Sequence, residues 1–382
     1  MKIALFGGSF DPVHNEHIRL AQAAIEGLEL DRLIVIPAAT PPHKRGKEQA
    51  EDIHRLALCR LAFVGMEKVR VSDYEIAKGG TSYTYLTCRY FKEKYPQAEL
   101  FWLVGTDMLR DFPTWKNPDE ILSLATLAVC ARNENAGWLE KEKKDFYEKF
   151  HRDFAVLEHN GKPVSSTEIR VLAGAGMEIP CVPRAVAEYI REHSLYEIEN
   201  AGKALGLEKP TRRAHSLRVA YLAAKKAVEM GLSERKAIAA ALFHDCAKSV
   251  PLASPLLSGF TIEEKWGDIP ASVLHQFTGA YLAEREFGVT DREILEAIRY
   301  HTSGNENMSE LGKLIFLADM VEEERSYEGV EILRALFREK RGAGALDECL
   351  EEALRQTIEY LKEKGAEVYP LTLKAYEYYK RK

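Results

Sequence analysis

The sequence predicts an α/β fold for its first half and an all-α fold for its second. Three observations carry this. Short apolar runs alternate with helix-period stretches as far as about residue 196. Several of those runs end at Gly or Pro, where a ligand-binding edge forms in open α/β sheets. From Thr211 onward strand signal fades, and alanine, leucine and glutamate recur at helical spacing. At 382 residues and 46% hydrophobic content, the chain can build two or three cores.

Residues 3–6, Ile-Ala-Leu-Phe, read as a buried strand, and Ile18, Leu20, Ala21, Ala24, Ile25 and Leu28 keep a helical period. Between them stands Gly7-Gly8-Ser9-Phe10-Asp11-Pro12-Val13-His14-Asn15-Glu16-His17. A helix N-terminus presents unpaired N–H groups and a positive dipole end, and glycine lets a phosphate approach the backbone. His14 and His17, three apart, can share a face and donate to phosphate oxygens as charge develops. The alternative is a turn and helix cap with two incidental histidines.

Residues 33–37 form the second strand, so a βαβ unit and a parallel sheet are expected. Pro41-Pro42-His43-Lys44 follows at the ligand edge, where Lys44 is a phosphate contact or a solvated loop lysine. A helix is expected over 52–66, with Ile53, Leu56, Leu61 and Phe63 among its apolar positions. Residues 69–72 read as a strand, and Ser82, Tyr83 and Thr84 open a helix with hydroxyl caps. The strand at 100–105 runs into Gly105-Thr106-Asp107, again at the ligand edge, and further strands are expected at 127–130 and 154–157. Ser165, Ser166 and Thr167 open a helix with Arg170 one turn in. Hydroxyls, free N–H groups and a cation at one spot suit a triphosphate, though they also make an ordinary N-cap. A helix from about Arg184 ends near Tyr196, and the charged stretch 197–209 follows. The expected division is therefore 1–196 and 197–382.

In the second half, polar residues interrupt apolar helical runs: His215, His244, Asp245, His275, His301 and Asp319. A carboxylate in such a run is costly unless paired, exposed or bound to metal. Each histidine alone reads as a core or surface residue. Together, nitrogen and oxygen donors on successive helices suit iron, manganese or zinc, and they suffice for two metals in a bundle. Two metals can make a hydroxide nucleophile and clamp a phosphoryl group.

The net charge of −6 and a pI near 6.1 argue against a general nucleic-acid binder. The six cysteines, at 59, 88, 130, 181, 246 and 349, form no CxxC pair and fit reduced thiols in a cytoplasmic protein. Neither a signal peptide nor a membrane span is expected, and the oligomeric state is not legible.

The first-half motifs occur together and in order: Gly-Gly-Ser-Phe-Asp-Pro-Val-His, Pro-Pro-His-Lys, Asp73-Tyr74-Glu75-Ile76, Ser82-Tyr83-Thr84, Trp102-x-x-Gly105-x-Asp107 with Trp115, and Ser165-Ser166-Thr167-x-Ile169-Arg170. Over 1–196 the chain resembles the bacterial nicotinate-nucleotide adenylyltransferases of the nucleotidyltransferase superfamily. The resemblance implies a Rossmann-like fold and transfer from ATP, with Mg²⁺, to nicotinate mononucleotide, giving deamido-NAD⁺ and pyrophosphate. It implies that Gly7, Gly8, Ser9, Phe10, His14, His17, Gly105, Asp107, Ser165, Ser166, Thr167 and Arg170 bind ATP. Among these, His14, His17 and Arg170 would act in transfer with Lys44, and Thr84 and Trp115 would hold the nicotinate ring. The chain departs from the family at Glu16, where the family has Gly. A carboxylate there repels a triphosphate unless it points away or meets Mg²⁺.

The order H…HD…H…H…D is similar to that of the HD phosphohydrolase superfamily. His244-Asp245-x-x-Lys248, Leu274-His275, Tyr300-His301-Thr302 and Leu317-Ala318-Asp319 resemble the bacterial HD-domain symmetrical diadenosine-tetraphosphate hydrolases. This implies a di-iron site on those six residues and cleavage of diadenosine tetraphosphate to two ADP, with catalytic roles for Asp245 and Lys248. Lys248 and Arg299 would contact phosphate. The expected enzyme is bifunctional. A nucleotide-sensing regulator with one weak half, or an HD half acting on another nucleotide phosphate ester, are the alternatives.

Overall fold

The structure is a computed structural model, which describes residues 1–40, 48–131, 136–158, 161, 164–342 and 344–380. The chain forms two compact units. The first comprises Met1–Ile169 with Ile179–Leu195, and the second Arg170–Glu178 with Tyr196–Lys382. A single cut near Tyr196 does not describe this division, because Val171 and Ala175 are buried in the core of the second unit.

The first unit is built on six strands: β1 (Lys2–Gly8), β2 (Arg32–Pro37), β3 (Val69–Val71), β4 (Glu99–Gly105), β5 (Thr126–Ala131) and β6 (Ala155–Glu158). Their order is β3-β2-β1-β4-β5-β6, and every pairing is parallel. Leu5 stands opposite Ile34 on one side and Trp102 on the other. Ile3, Ala4, Leu5 and Phe6 are all buried, as in a strand covered on both faces, which is why the sequence showed an unbroken apolar run. The strand order reverses between β1 and β4. In doubly wound sheets the ligand crevice lies there, at the strands' carboxyl ends. Gly8 ends β1 and Gly105 ends β4.

Three local expectations change. The helix expected over 52–66 is Asp52–Ala62, followed by a turn with Gly65 at φ +84°. Its inward face carries Arg55, Leu58 and Cys59, while Ile53 is 68% exposed. The helix Thr84–Lys94 has no hydroxyl cap, because Ser82 Oγ accepts instead from the Ala39 N–H at 3.1 Å. The charged stretch after Tyr196 contains the helix Ala201–Gly206, with Ala201, Ala204 and Leu205 buried.

The second unit is helical throughout its described residues. The helices that matter for its site are Pro210–Met230, Glu234–Phe243, Ala271–Arg285, Arg292–Arg299 and Glu310–Val321. Three of them start at side chains that satisfy exposed N–H groups: Ser233 accepts from Lys236, Asp291 from Glu293 and Ile294, and Ser309 from Gly312. Ala220, Ala223, Ala224, Ala240 and Ala241 are fully buried, and these small side chains let the helices approach closely. No helix among the described residues is long and apolar enough to cross a membrane.

Candidate active sites

In the first unit β1 leads through Gly7, Gly8 and Ser9 into the helix Asn15–Gly27. His14 is its N-cap, and the His14 and His17 rings stack at 3.7 Å. The His14 N–H donates to His17 Nδ1 at 3.1 Å. Nδ1 of His17 is therefore an acceptor, which leaves the ring proton on Nε2 as a donor. Phe10, held at φ +47°, packs edge-on against His17 at 5.0 Å. Gly7 has a packing reason of its own: a Cβ there would stand 2.7 Å from the Trp102 ring. Glu16 is fully buried and ion-paired with Arg19 one turn on, so its charge has a cation of its own.

The loop is held from beneath by Arg55, a residue that sequence reasoning passed over. Its guanidinium is wholly buried and donates to the carbonyls of Ser9 (2.7 Å), Ala50 (3.1 Å) and Ala39 (3.3 Å), and it pairs with Asp52. Asp11 accepts from the Ala50 N–H at 3.1 Å, closing the same ring of contacts. A repeated apolar period hid Arg55, since an arginine on a helix reads as solvated.

At the β4 edge, Asp107 folds over Gly105, where a Cβ would lie 2.6 Å from Asp107 Oδ1. Thr84 is half-buried at the start of its helix, and Trp115 is half-buried against Phe112 at 5.3 Å. Lys116 Nζ lies 4.5 Å from the Tyr83 ring, which brings these two segments together. Below them Thr87 donates to the buried Glu75 at 2.5 Å, and burial pushes the Glu75 carboxyl above its usual range. Ser165 caps its helix by accepting from the Glu168 N–H at 3.2 Å, and Ser166 ties that helix to the Pro12 carbonyl at 3.0 Å. Arg170 does not stand as a cation awaiting phosphate: its guanidinium meets Glu234 at 2.6 Å, both side chains mostly buried. Lys44 lies outside the described residues.

In the second unit the six expected ligands converge. Donor atoms of His215, His244 and Asp245 lie within 4.8 Å of one another, as do those of His244, His301 and Asp319, and those of Asp245, His275 and His301. Three of the rings have their outer nitrogen engaged. His244 Nδ1 donates to the Ala241 carbonyl at 2.6 Å, His301 Nδ1 to Ile298 at 2.7 Å, and His215 Nδ1 to Glu322 at 3.1 Å. That assignment leaves each Nε2 with its lone pair facing the cluster, the form a metal needs. His275 Nε2 and His301 Nε2 are 3.1 Å apart, and the buried His244 Nε2 has no hydrogen-bond partner. Burial brings His244 and His275 down to about 4, so both are neutral near pH 7. Burial alone would raise Asp245, but the surrounding imidazoles hold it well below the usual carboxylate range. Lone pairs and carboxylates packed this closely repel unless a cation sits among them, so the donor set fits divalent metal.

Cations already crowd the cluster. Lys248 Nζ is 3.0 Å from His275 Nε2 and 3.5 Å from Asp245 Oδ1. Arg212 Nη1 is 3.0 Å from Asp245 Oδ2, and Arg325 pairs with Asp319. Glu322, buried between His215 and Arg218, was not found from the sequence, and neither were Arg212 and Arg325. Arg299 is half-buried and no contact of it with the cluster is seen.

Residues 5–172 match the cytidylyltransferase-like family and residues 212–324 the HD domain family. A probable nicotinate-nucleotide adenylyltransferase/Ap4A hydrolase of Mycoplasma genitalium is 32% identical over 336 residues, covering 87% of this chain and 91% of that protein. The chain belongs to this two-domain family. A probable nicotinate-nucleotide adenylyltransferase of Clostridium tetani is 36% identical over 197 residues, which are 51% of this chain and 98% of that relative. A crystal structure of a Clostridium acetobutylicum protein, described as a predicted HD superfamily hydrolase involved in NAD metabolism, shares 31% identity. It matches 48% of this chain and 96% of its own with a TM-score of 0.43. Family members thus pair a nucleotidyltransferase-like half with a metal-binding HD half, as the two sites here do.

Proposed function

We propose that the chain catalyses two reactions, divided functionally near Tyr196 into 1–196 and 197–382. The first is adenylyl transfer from ATP to nicotinate mononucleotide. The second is hydrolysis of diadenosine tetraphosphate to two ADP. The family supplies both substrate names, and the geometry supports both chemistries.

In the transfer, an oxygen of the mononucleotide phosphate attacks the α-phosphorus of ATP. The α–β bridging bond breaks and pyrophosphate leaves, so no protein nucleophile is needed. Gly7, Gly8, Ser9 and Phe10 bring main chain to the phosphates, and the N-terminus of the Asn15–Gly27 helix faces their charge. His14 and His17 stabilise charge as it develops, with His17 Nε2–H as the donor. Mg²⁺ arrives with ATP. Gly105 and Asp107 line the nucleotide edge, Thr84 and Trp115 hold the pyridine ring, and Ser165, Ser166, Thr167 and Lys44 complete the phosphate contacts. Arg170 is engaged by Glu234, so its place in this list requires that pair to open.

In the hydrolysis, His215, His244, Asp245, His275, His301 and Asp319 would hold two metal ions, which the reading assigns as iron. Bound there, they supply a hydroxide at neutral pH and neutralise phosphate charge. Asp245, whose carboxylate belongs to two of the donor groups, would help hold them, and Lys248 would meet phosphate beside it. Both reactions belong in the cytoplasm on this reading. The observation that carries the proposal is the convergence of six donors from five segments of the second unit, three on helices and three in the turns that follow Phe243 and Arg299. The experiment is a two-substrate panel on the metal-loaded chain. Pyrophosphate release from ATP must require nicotinate mononucleotide, and ADP release from diadenosine tetraphosphate must stop when the metal is chelated. Retention of hydrolysis after complete metal removal would refute the second half.

A further inference from the structure

We propose that Gln276 is a positioning residue of the metal site: its buried amide clamps the turn that carries His301 onto the helix that carries His275, and so sets the spacing of those two ligands before a metal arrives. This rests on the metal-site half of the proposed function. Gln276 follows His275 on the helix Ala271–Arg285 and is wholly buried. His301 stands in the turn after the helix Arg292–Arg299. One side chain bonds that turn three times. Gln276 Oε1 accepts from the Thr302 N–H at 3.1 Å and the Ser303 N–H at 3.0 Å, and its Nε2 donates to Ser303 Oγ at 2.8 Å. Ser303 Oγ donates in turn to the Gly304 carbonyl at 2.9 Å. The turn closes on itself where the Gly304 N–H meets the Tyr300 carbonyl at 3.0 Å, with Gly304 at φ +67°. A carboxamide buried among apolar neighbours is costly without partners. Here its partners all lie in the segment that holds His301, and none of these bonds goes to a donor atom of the cluster.

The ligands themselves show why a clamp is needed. His301 Nδ1 donates to the Ile298 carbonyl at 2.7 Å, while Lys248 Nζ and Thr302 Oγ1 reach His275 Nε2 at 3.0 and 3.1 Å. The two Nε2 atoms therefore face each other as acceptors, 3.1 Å apart, and repel. They lie 3.2 and 3.5 Å from the same Asp245 Oδ1. Two ring nitrogens held by one ion at about 2.1 Å each stand roughly 3 Å apart. The observed spacing thus suits a shared ion and is unfavourable without one. It needs the two segments fixed to each other, and the three bonds of Gln276 do this. A turn ordered in advance spares the ion the cost of ordering it.

The test uses the full chain, stripped of metal and titrated with Co²⁺, followed by visible absorbance. Gln276→Met keeps the side chain's length and loses all three bonds. It should weaken Co²⁺ by about tenfold or more and alter the shape of the visible band. Ser303→Ala removes the acceptor of Nε2 and should weaken Co²⁺ by about threefold. Placed on the Gln276→Met background it should add less than about twofold, because the partner is already gone. Leu333→Ala, in the core of the same unit on the helix Val330–Glu339, lowers stability without touching the turn and should leave affinity and band as in the wild type. A wild-type affinity and band in Gln276→Met, fully additive losses in the double variant, or the same loss in Leu333→Ala would overturn the proposal. Should Gln276→Met fail to fold, Ser303→Ala decides it, and a wild-type titration there overturns it. Because this readout needs no turnover, it separates the two ideas. A wild type that shows this pattern but cleaves no diadenosine tetraphosphate defeats the hydrolase reading alone. A wild type that cleaves, with Gln276→Met binding Co²⁺ normally, defeats the positioning proposal alone.

Discussion

The two candidate sites meet phosphate by opposite means. The first unit offers main chain: a glycine turn, a helix N-terminus and two stacked imidazoles, with the backbone pinned by the buried Arg55. The second offers side chains: four imidazoles and two carboxylates from helices and the turns that follow them, with Arg212, Lys248 and Arg325 pressed against them. A main-chain site depends on shape, since a Cβ at Gly7 would stand 2.7 Å from the Trp102 ring. A side-chain site depends on charge balance, since each group is tolerable only because another offsets it.

The sharpest way to break this contrast is Asp245→Ala. It should cut diadenosine tetraphosphate hydrolysis on the order of 10³-fold or more and reduce metal content, while adenylyl transfer is unchanged. Metal analysis beside both assays checks it, and a parallel fall in transfer would show the sites are not independent. Next in size, His17→Ala should lower adenylyl transfer by about 10²-fold with hydrolysis intact, read as pyrophosphate release. A smaller effect is expected at Glu322→Ala, which frees His215 Nδ1. Metal affinity should weaken by about 10- to 100-fold, measured by titration of the stripped protein, with the fold preserved by circular dichroism.

The smallest effect concerns pH in the metal-free chain. His244 and His275 fall from an ordinary 6.5 to about 4 through burial, so the unfolded chain binds protons first. Stability should therefore drop as pH falls from about 6.5 to 4. Glu208, pushed up to about 7 by burial against an ordinary 4.5, works in the other direction and loses stability as pH rises through that window. Glu208→Gln should consequently steepen the acid-side decline in urea melts, whereas metal loading should remove most of it above pH 6.

What could be read from the sequence follows the same contrast. The parallel sheet was legible because strands covered on both faces show unbroken apolar runs, and glycine marks their ligand ends. The six donors were legible because a histidine or aspartate inside an apolar helical run has few structural excuses. The guanidiniums were not. Arg55, Arg212 and Arg325 occupy positions where arginine normally reaches solvent, and only the fold shows their charged ends turned inward. Arg170 shows the same limit in reverse. Its spacing from Ser165 suited phosphate, but nothing near it in sequence announced Glu234, sixty-four residues on. Glu16 looked disruptive beside a triphosphate, and Arg19 one turn later is what accommodates it.

The nine-residue segment Arg170–Glu178 has a practical corollary for anyone dividing the gene. A clone that starts at codon 197 omits Val171 and Ala175, which are buried in the same core as Ile198 and Ile238. Gly174 sits so near Ile198 and the Tyr196 carbonyl that no larger residue fits without movement. Such a fragment would begin life with a hole in its interior. A hydrolase made on its own should be started upstream of that segment, and carry the intervening residues along as cargo.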